Sequence, residues 1–292
     1  MGVSSFTSDQ ARSTFTLAYD EAMQRLWPAG WTSTDITTAY GPTRVNRFGP
    51  ADGVPVVLLP GAAGNSLMWY RYVADLGRDH QVLAVDPVGE PGGSRQDKPI
   101  DTADDLTEWL GEVFTGLGVA QAHLIGCSYG GWTAMQYALR HPDRVATMTL
   151  LDPAGFGKVG GRFLAWVILG GLAGLAPRGV RHRAARWLRN ATLLDDDLMG
   201  MARVSMSFRR RLPVPPSSTD DELRTSSTPA LVLLGANSQL YDAASVAQRL
   251  RTVGSFHVDV VPDAGHDLPV SCPSLVVERS LAFLARTSSR AA

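Results

Sequence analysis

A chain of 292 residues with 45% hydrophobic and 19% charged residues is long and apolar enough to bury a large core, which excludes a disordered or fibrous protein. The formal net charge of -1 is unevenly spread, because residues 153–213 hold 11 Lys and Arg against 3 Asp and Glu and leave 16 against 25 elsewhere. A basic insert in an acidic body, with no reading motif, does not favour nucleic acid as a partner. Cys127 and Cys272 are too few for a disulfide framework and read as free thiols. The first residues show neither the basic start nor the unbroken apolar core of a signal peptide, and Phe6 stands where myristoylation needs Ser or Thr. The expectation is a cytoplasmic protein without a transmembrane segment.

Residues 8–27 carry Phe15, Tyr19, Ala22, Met23 and Leu26 at helical spacing, which predicts a first helix. Two polar, alternating segments at 36–40 and 43–48 predict a hairpin turned at Gly41-Pro42. The runs 54–59, 82–85, 123–125, 145–151, 230–234 and 256–261 are short and rich in Val, Leu and Ile, as strands buried on both faces of a parallel sheet are. Helical stretches at 66–77, 101–117, 129–141 and 243–252 alternate with them. The result is an α/β fold with a mostly parallel, eight-stranded sheet flanked by helices. Between Asp152 and Thr228 the alternation breaks, and helical and Pro/Ser-rich segments carry no convincing strand. The expected organisation is a core of residues 1–152 and 228–292, with a helical cap, 153–227, inserted after the sixth strand.

Gly126-Cys127-Ser128-Tyr129-Gly130 falls where an apolar strand ends and a helix begins. That context makes a nucleophile elbow of the pattern: the serine sits on a tight, strained turn, and small flanking residues let strand and helix approach. A serine hydroxyl needs a neighbouring base, usually histidine. His266 follows the last strand and emerges at the carboxyl edge of the sheet, the same edge as Ser128. His80, His123 and His257 start their strands at the opposite edge, and His141 and His182 fall on a helix end and in the cap. Acyl transfer also needs donors for an oxyanion. The Tyr129 amide follows from the elbow, and the loop Pro60-Gly61-Ala62-Ala63-Gly64 offers a second amide, that of Ala62.

With Asp86-Pro87-Val88-Gly89-Glu90-Pro91-Gly92, Leu151-Asp152-Pro153-Ala154-Gly155 and Gly265-His266, these motifs resemble the α/β-hydrolase superfamily over roughly residues 30–290. The resemblance implies catalytic order Ser, acid, His, and implies no metal or organic cofactor. It also marks a departure. Relatives usually carry the acid a few residues beyond the seventh strand, where this chain has Ser238. Asp152 takes the role by analogy with members that supply the acid from the end of the sixth strand. Asp242 is the rival, although it precedes a helix that it would cap, and a weakened dyad is the third possibility.

In the cap, the apolar run 163–175, with Trp166, Val167, Ile168 and Leu169, would either line an acyl or aromatic pocket or pack as a buried helix. It is too short to span a bilayer, which takes about 20 residues. Arg178, Arg181, Arg183, Arg186 and Arg189, then Arg209, Arg210 and Arg211, read as a solvated face or as a surface for an acidic partner such as an acyl carrier protein or an anionic membrane. The expected function is a serine hydrolase that cleaves an ester or related acyl bond of a small, apolar substrate through an acyl-enzyme on Ser128. The alternatives are a thioester-releasing or cyclising enzyme using the same site, and a non-catalytic small-molecule binder.

Overall fold

The computed structural model describes residues 2–254 and 256–291. A short strand, β1 (Ser5–Phe6), leads into α1 (Asp9–Leu26), which Ser8 starts by accepting a hydrogen bond from the Ala11 amide at 3.2 Å. The helix buries Phe15, Tyr19, Ala22 and Met23, the face its spacing selects. The hairpin follows as β2 (Thr32–Ile36) and β3 (Thr43–Phe48), so its first strand lies earlier than the alternation at 36–40 indicates. Residues 38–41 are instead the turn: the Thr38 hydroxyl donates to the Gly41 carbonyl at 2.6 Å, and Gly41 takes a φ of 123° with no room for a Cβ against the Arg95 carbonyl.

The alternating part runs β4 (Val54–Leu59), α2 (Val73–Leu76), β5 (His80–Val85), α3 (Ala103–Gly116), β6 (Ala122–Cys127), α4 (Tyr129–Arg140) and β7 (Val145–Leu151). The stretch expected as one helix over 66–77 divides into a 3-10 turn, Ser66–Trp69, and α2. Buried Asp86 causes this, because it accepts the Ser66 amide at 2.7 Å and its hydroxyl at 2.6 Å and pins the turn to the end of β5. After β7 come three helices, α5 (Gly161–Gly174), α6 (Arg178–Leu188) and α7 (Asp196–Val204), then β8 (Phe208–Arg209) and α8 (Asp220–Arg224). The expectation of no strand here is corrected by β8, which pairs antiparallel with β1 and ties the N-terminal segment to the chain returning from the helices. The chain closes with β9 (Ala230–Gly235), α9 (Ala243–Val253), β10 (Phe256–Val261), α10 (Leu268–Ser271) and α11 (Pro273–Ala291).

The large sheet has eight strands in the order β10-β9-β7-β6-β4-β5-β3-β2, parallel from β10 to β5 and antiparallel at β3 and β2. Its two faces carry separate apolar layers, one around Trp109, Trp132 and Tyr137 and the other around Phe15, Trp69 and Tyr72. From β4 the chain steps outward to β5 and then returns past β4 to β6, which opens a crevice at the carboxyl ends of β4 and β6. No helix among the described residues is long and apolar enough to cross a membrane.

Candidate active site

Both strands at that crevice deliver their motifs to it. Leu59 of β4 is in register with Gly126 of β6, so the Pro60–Gly64 loop and the Ser128 turn lie side by side. Ser128 holds φ 48° and ψ -111°, a backbone region that costs a non-glycine residue about 1–3 kcal/mol. Three hydrogen bonds hold it there: its amide donates to the Leu151 carbonyl at 3.0 Å, and its carbonyl accepts the Trp132 and Ala154 amides at 3.1 and 3.0 Å. The flanking glycines are dictated by the same turn. A Cβ on Gly130 would stand 2.2 Å from the Leu59 carbonyl oxygen, and one on Gly126 would stand 2.4 Å from that of Gly130.

His266 lies between β10 and α10, nearly buried, with Nδ1 2.6 Å from Asp152 Oδ2. Asp152 is fully buried at the end of β7 and accepts two further hydrogen bonds, from the Ser238 hydroxyl at 2.6 Å and the Gly235 amide at 3.2 Å. Ser238, at the position where the resemblance led to the expectation of an acid, therefore donates to the same carboxylate oxygen that faces the imidazole. Among the described residues Asp242 makes no contact with this cluster; it caps α9, accepting the Ser245 amide at 2.7 Å, and that bond holds its carboxyl below the usual range. The remaining strand histidines keep to the far edge, where the rings of His80 and His123 stand 6.5 Å apart. Cys127, beside the elbow, is buried, and burial pushes its thiol well up from the ordinary range, which makes it a poor nucleophile.

Among the described residues neither the Ala62 nor the Tyr129 amide meets an acceptor, so both remain available as donors. Ala63 takes a φ of 59° and donates its amide to Glu90 Oε2 at 2.9 Å. Glu90 is buried, and its other oxygen accepts from Arg210 Nε at 2.7 Å, while the Arg210 guanidinium lies 4.4 Å from the centre of the Tyr129 ring. Burial pushes the Glu90 carboxyl up, and the Arg210 charge opposes that shift. Sequence reasoning passed over both residues. Glu90 stood in the Asp86–Gly92 motif, to which only a family resemblance was attached, and Arg210 stood in a run read as a solvated face or a surface for an acidic partner.

A cavity of about 550 Å³ opens above these groups, bounded by Ala62, Ser128 and His266 below and by Phe163, Trp166 and Val167 of α5 above. The rings of Phe163 and Trp166 meet His266 edge-on, with centroids 5.1 and 6.0 Å away. Of the apolar run, Phe163, Trp166 and Val167 line the cavity, whereas Ile168 and Leu169 are exposed and outside it, and the run does not form a buried helix. Among the described residues no group of three or more His, Cys, Asp or Glu side chains is arranged to hold a metal ion.

A strained serine turn at the switch point of a doubly wound sheet, with a histidine and a buried acid after later strands, defines an α/β-hydrolase site. The chain belongs to the α/β hydrolase family, whose model matches residues 56–279. It is 32% identical over 276 residues to a Bacillus subtilis (strain 168) protein named uncharacterized carboxylesterase nap, covering 91% of this chain and 90% of that one. Carboxylesterase YbfK of the same organism is 28% identical over 291 residues, 96% of each chain. Among solved structures, the naproxen esterase (carboxylesterase NP) of Bacillus subtilis superposes with a TM-score of 0.82 at 30% identity, covering 95% of this chain and 99% of that one.

Proposed function

We propose that this protein is a carboxylesterase working through an acyl-enzyme on Ser128. Contact between Asp152 and His266 at 2.6 Å, on the cavity that Ser128 also lines, is the observation that carries the reading. Asp152 keeps the Nδ1 proton in place and leaves Nε2 free to take the Ser128 proton as the hydroxyl attacks the ester carbonyl. The amides of Ala62 and Tyr129 hold the oxyanion, with the N-terminus of α4 adding its dipole. The proton passes from His266 to the departing alcohol, and His266 then activates the water that releases the acid.

The helices of residues 153–227 act as a cap that sets acyl preference. A cavity of about 550 Å³ faced by Phe163, Trp166 and Val167 favours a bulky apolar or aromatic acyl group, and likeness to a naproxen esterase makes naproxen esters the first to assay. The acidic acyl carrier protein expected as a second source of acyl groups is tested by assaying a carrier-bound thioester against the free ester. Free thiols at Cys127 and Cys272 suit a reducing, cytoplasmic compartment.

Labelling with a fluorophosphonate separates an enzyme from a binder. The expected result is one adduct on Ser128, lost in Ser128→Ala together with hydrolysis. Absence of an adduct while a known esterase is labelled in parallel overturns the reading, and a cyclic product in place of a free acid would assign the site to ring closure.

A further inference from the structure

A helix that meets a core buries one face. Helix α5 does so only weakly: Gly170 and Gly174 are its buried residues, while Leu164 and Leu172 stand 62% and 63% exposed and Ile168 is exposed beside them. Helix α6 packs against it, fastened by the Trp166 indole donating to the Leu188 carbonyl at 2.9 Å, and adds exposed Val180 and a Trp187 that is 75% exposed. Monomeric proteins rarely leave so many large apolar side chains in water on two adjoining helices.

The charge around this patch has one sign. Arg183, Arg186 and Arg189 are exposed, and Arg183 shares a face of α6 with Val180 and Trp187 at helical spacing. None of the three pairs with an acid among the described residues. The three acids next along the chain are engaged elsewhere: Asp195 with Arg71, Asp196 with Arg178 and Arg181, and Asp197 with Arg25.

We propose that α5 and α6 seat the protein on an anionic lipid surface, with the apolar side chains at the acyl boundary and the arginines among the phosphates. This combination is that of a helix lying in a membrane interface, and at 14 residues α5 is too short to cross a bilayer, which takes about 20. A second copy of the chain fits less well, because a two-fold contact would press Arg183 and Arg186 against arginines of the same patch. An acidic carrier protein would match the arginines and leave the Leu164 and Leu172 face in water. For the enzyme the placement has a purpose, which rests on the esterase reading: Phe163, Trp166 and Val167 of the same helix line the cavity, so α5 stands between lipid and site.

Flotation of the full chain with vesicles tests the surface without requiring turnover. Vesicles containing phosphatidylglycerol are expected to carry the protein at least about 10-fold better than pure phosphatidylcholine, with the difference shrinking as salt rises. Arg183→Glu with Arg186→Glu, and separately Leu172→Ser with Trp187→Ser, should each lower binding at least about 10-fold while leaving hydrolysis of a water-soluble ester unchanged. Equal binding to both lipids, no binding to either, binding unaltered in both variants, or a dimer in solution that Trp187→Ser separates would overturn the proposal. Inactivity on every ester would instead sink the esterase reading and leave the vesicle result standing.

Discussion

Changing Asp152 to Asn keeps the shape of the side chain and removes its charge. As a carboxylate Asp152 only accepts, so with Oδ2 at 2.6 Å it fixes the proton of His266 on Nδ1 and leaves Nε2 as the base. An asparagine amide turned toward Nδ1 donates instead, which moves the imidazole proton to Nε2 and leaves Ser128 without a base. Loss of one charge-assisted hydrogen bond is worth about 1.5–3 kcal/mol, or roughly 10- to 150-fold. The wrong tautomer adds to that and brings the fall in kcat to the order of 10⁴, about 5.5 kcal/mol, with KM little changed. Hydrolysis of a short-chain nitrophenyl ester measures this, with a thermal melt to establish that the variant is folded. Asp242→Asn is the control: asparagine caps a helix about as well as aspartate, so both the melt and kcat should be little altered. In Asp152→Asn combined with Ser238→Asp, a carboxylate returns from the neighbouring strand and kcat should recover in part. Parental kcat in Asp152→Asn, or an equal loss in Asp242→Asn, would refute the reasoning.

Gly130→Ala should lower stability by about 1–3 kcal/mol and abolish hydrolysis, because its Cβ meets the Leu59 carbonyl at 2.2 Å and forces α4 away from β4; an unchanged melt would contradict this. Glu90→Gln keeps an acceptor for the Ala63 amide but removes the charge that pairs with Arg210, so the donor loop loosens. The expected loss is about 10- to 100-fold in kcat with KM little altered, and a change in KM alone would speak against a role near the oxyanion. Acid should weaken the fold through His123, whose burial, with His80 nearby, lowers it from 6.5 to about 4. The neutral ring is the form the fold favours, so its contribution of about 3 kcal/mol is whole above pH 6.5 and is lost as pH falls toward 4. Urea titrations across that window should show a smaller decline in His123→Gln than in the parent.

The sheet was legible because its central strands are buried on both faces, so runs such as 54–59 and 145–151 are largely apolar, and their bounds agree with β4 and β7. Strand order also placed Ser128 and His266 on one edge. Less was legible where geometry depends on a distant partner. The hairpin began earlier than its alternation indicated because Tyr40 and Thr38 serve the turn and not the ladder. Two-residue β8 exists only through β1, more than two hundred positions away, and has no periodicity to read. Glu90 and Arg210 were missed for a similar reason: each is an ordinary charged residue until the fold buries one against the other.

Ser238 is explained by the same neighbourhood of strands. β7 and β9 are adjacent and parallel, with Leu151 in register with Leu233, so the residues just past their carboxyl ends project into one small volume. His266 Nδ1 can therefore be met from either strand, and an acid at 152 or one at 238 answers the same need. Acids at both would not, since two buried carboxylates at hydrogen-bond distance cannot both ionise and one would hold a proton between them. With Asp152 carrying the charge, the position across from it is best filled by a neutral donor. Ser238 fills it: its hydroxyl donates to Oδ2 at 2.6 Å, accepts the Leu240 amide at 3.2 Å, and so stabilises the carboxylate while anchoring the turn beyond β9. On this reading the acid at 152 and the serine at 238 are one arrangement, with the charge past the end of β7 and a hydrogen-bond donor past the end of the adjacent β9.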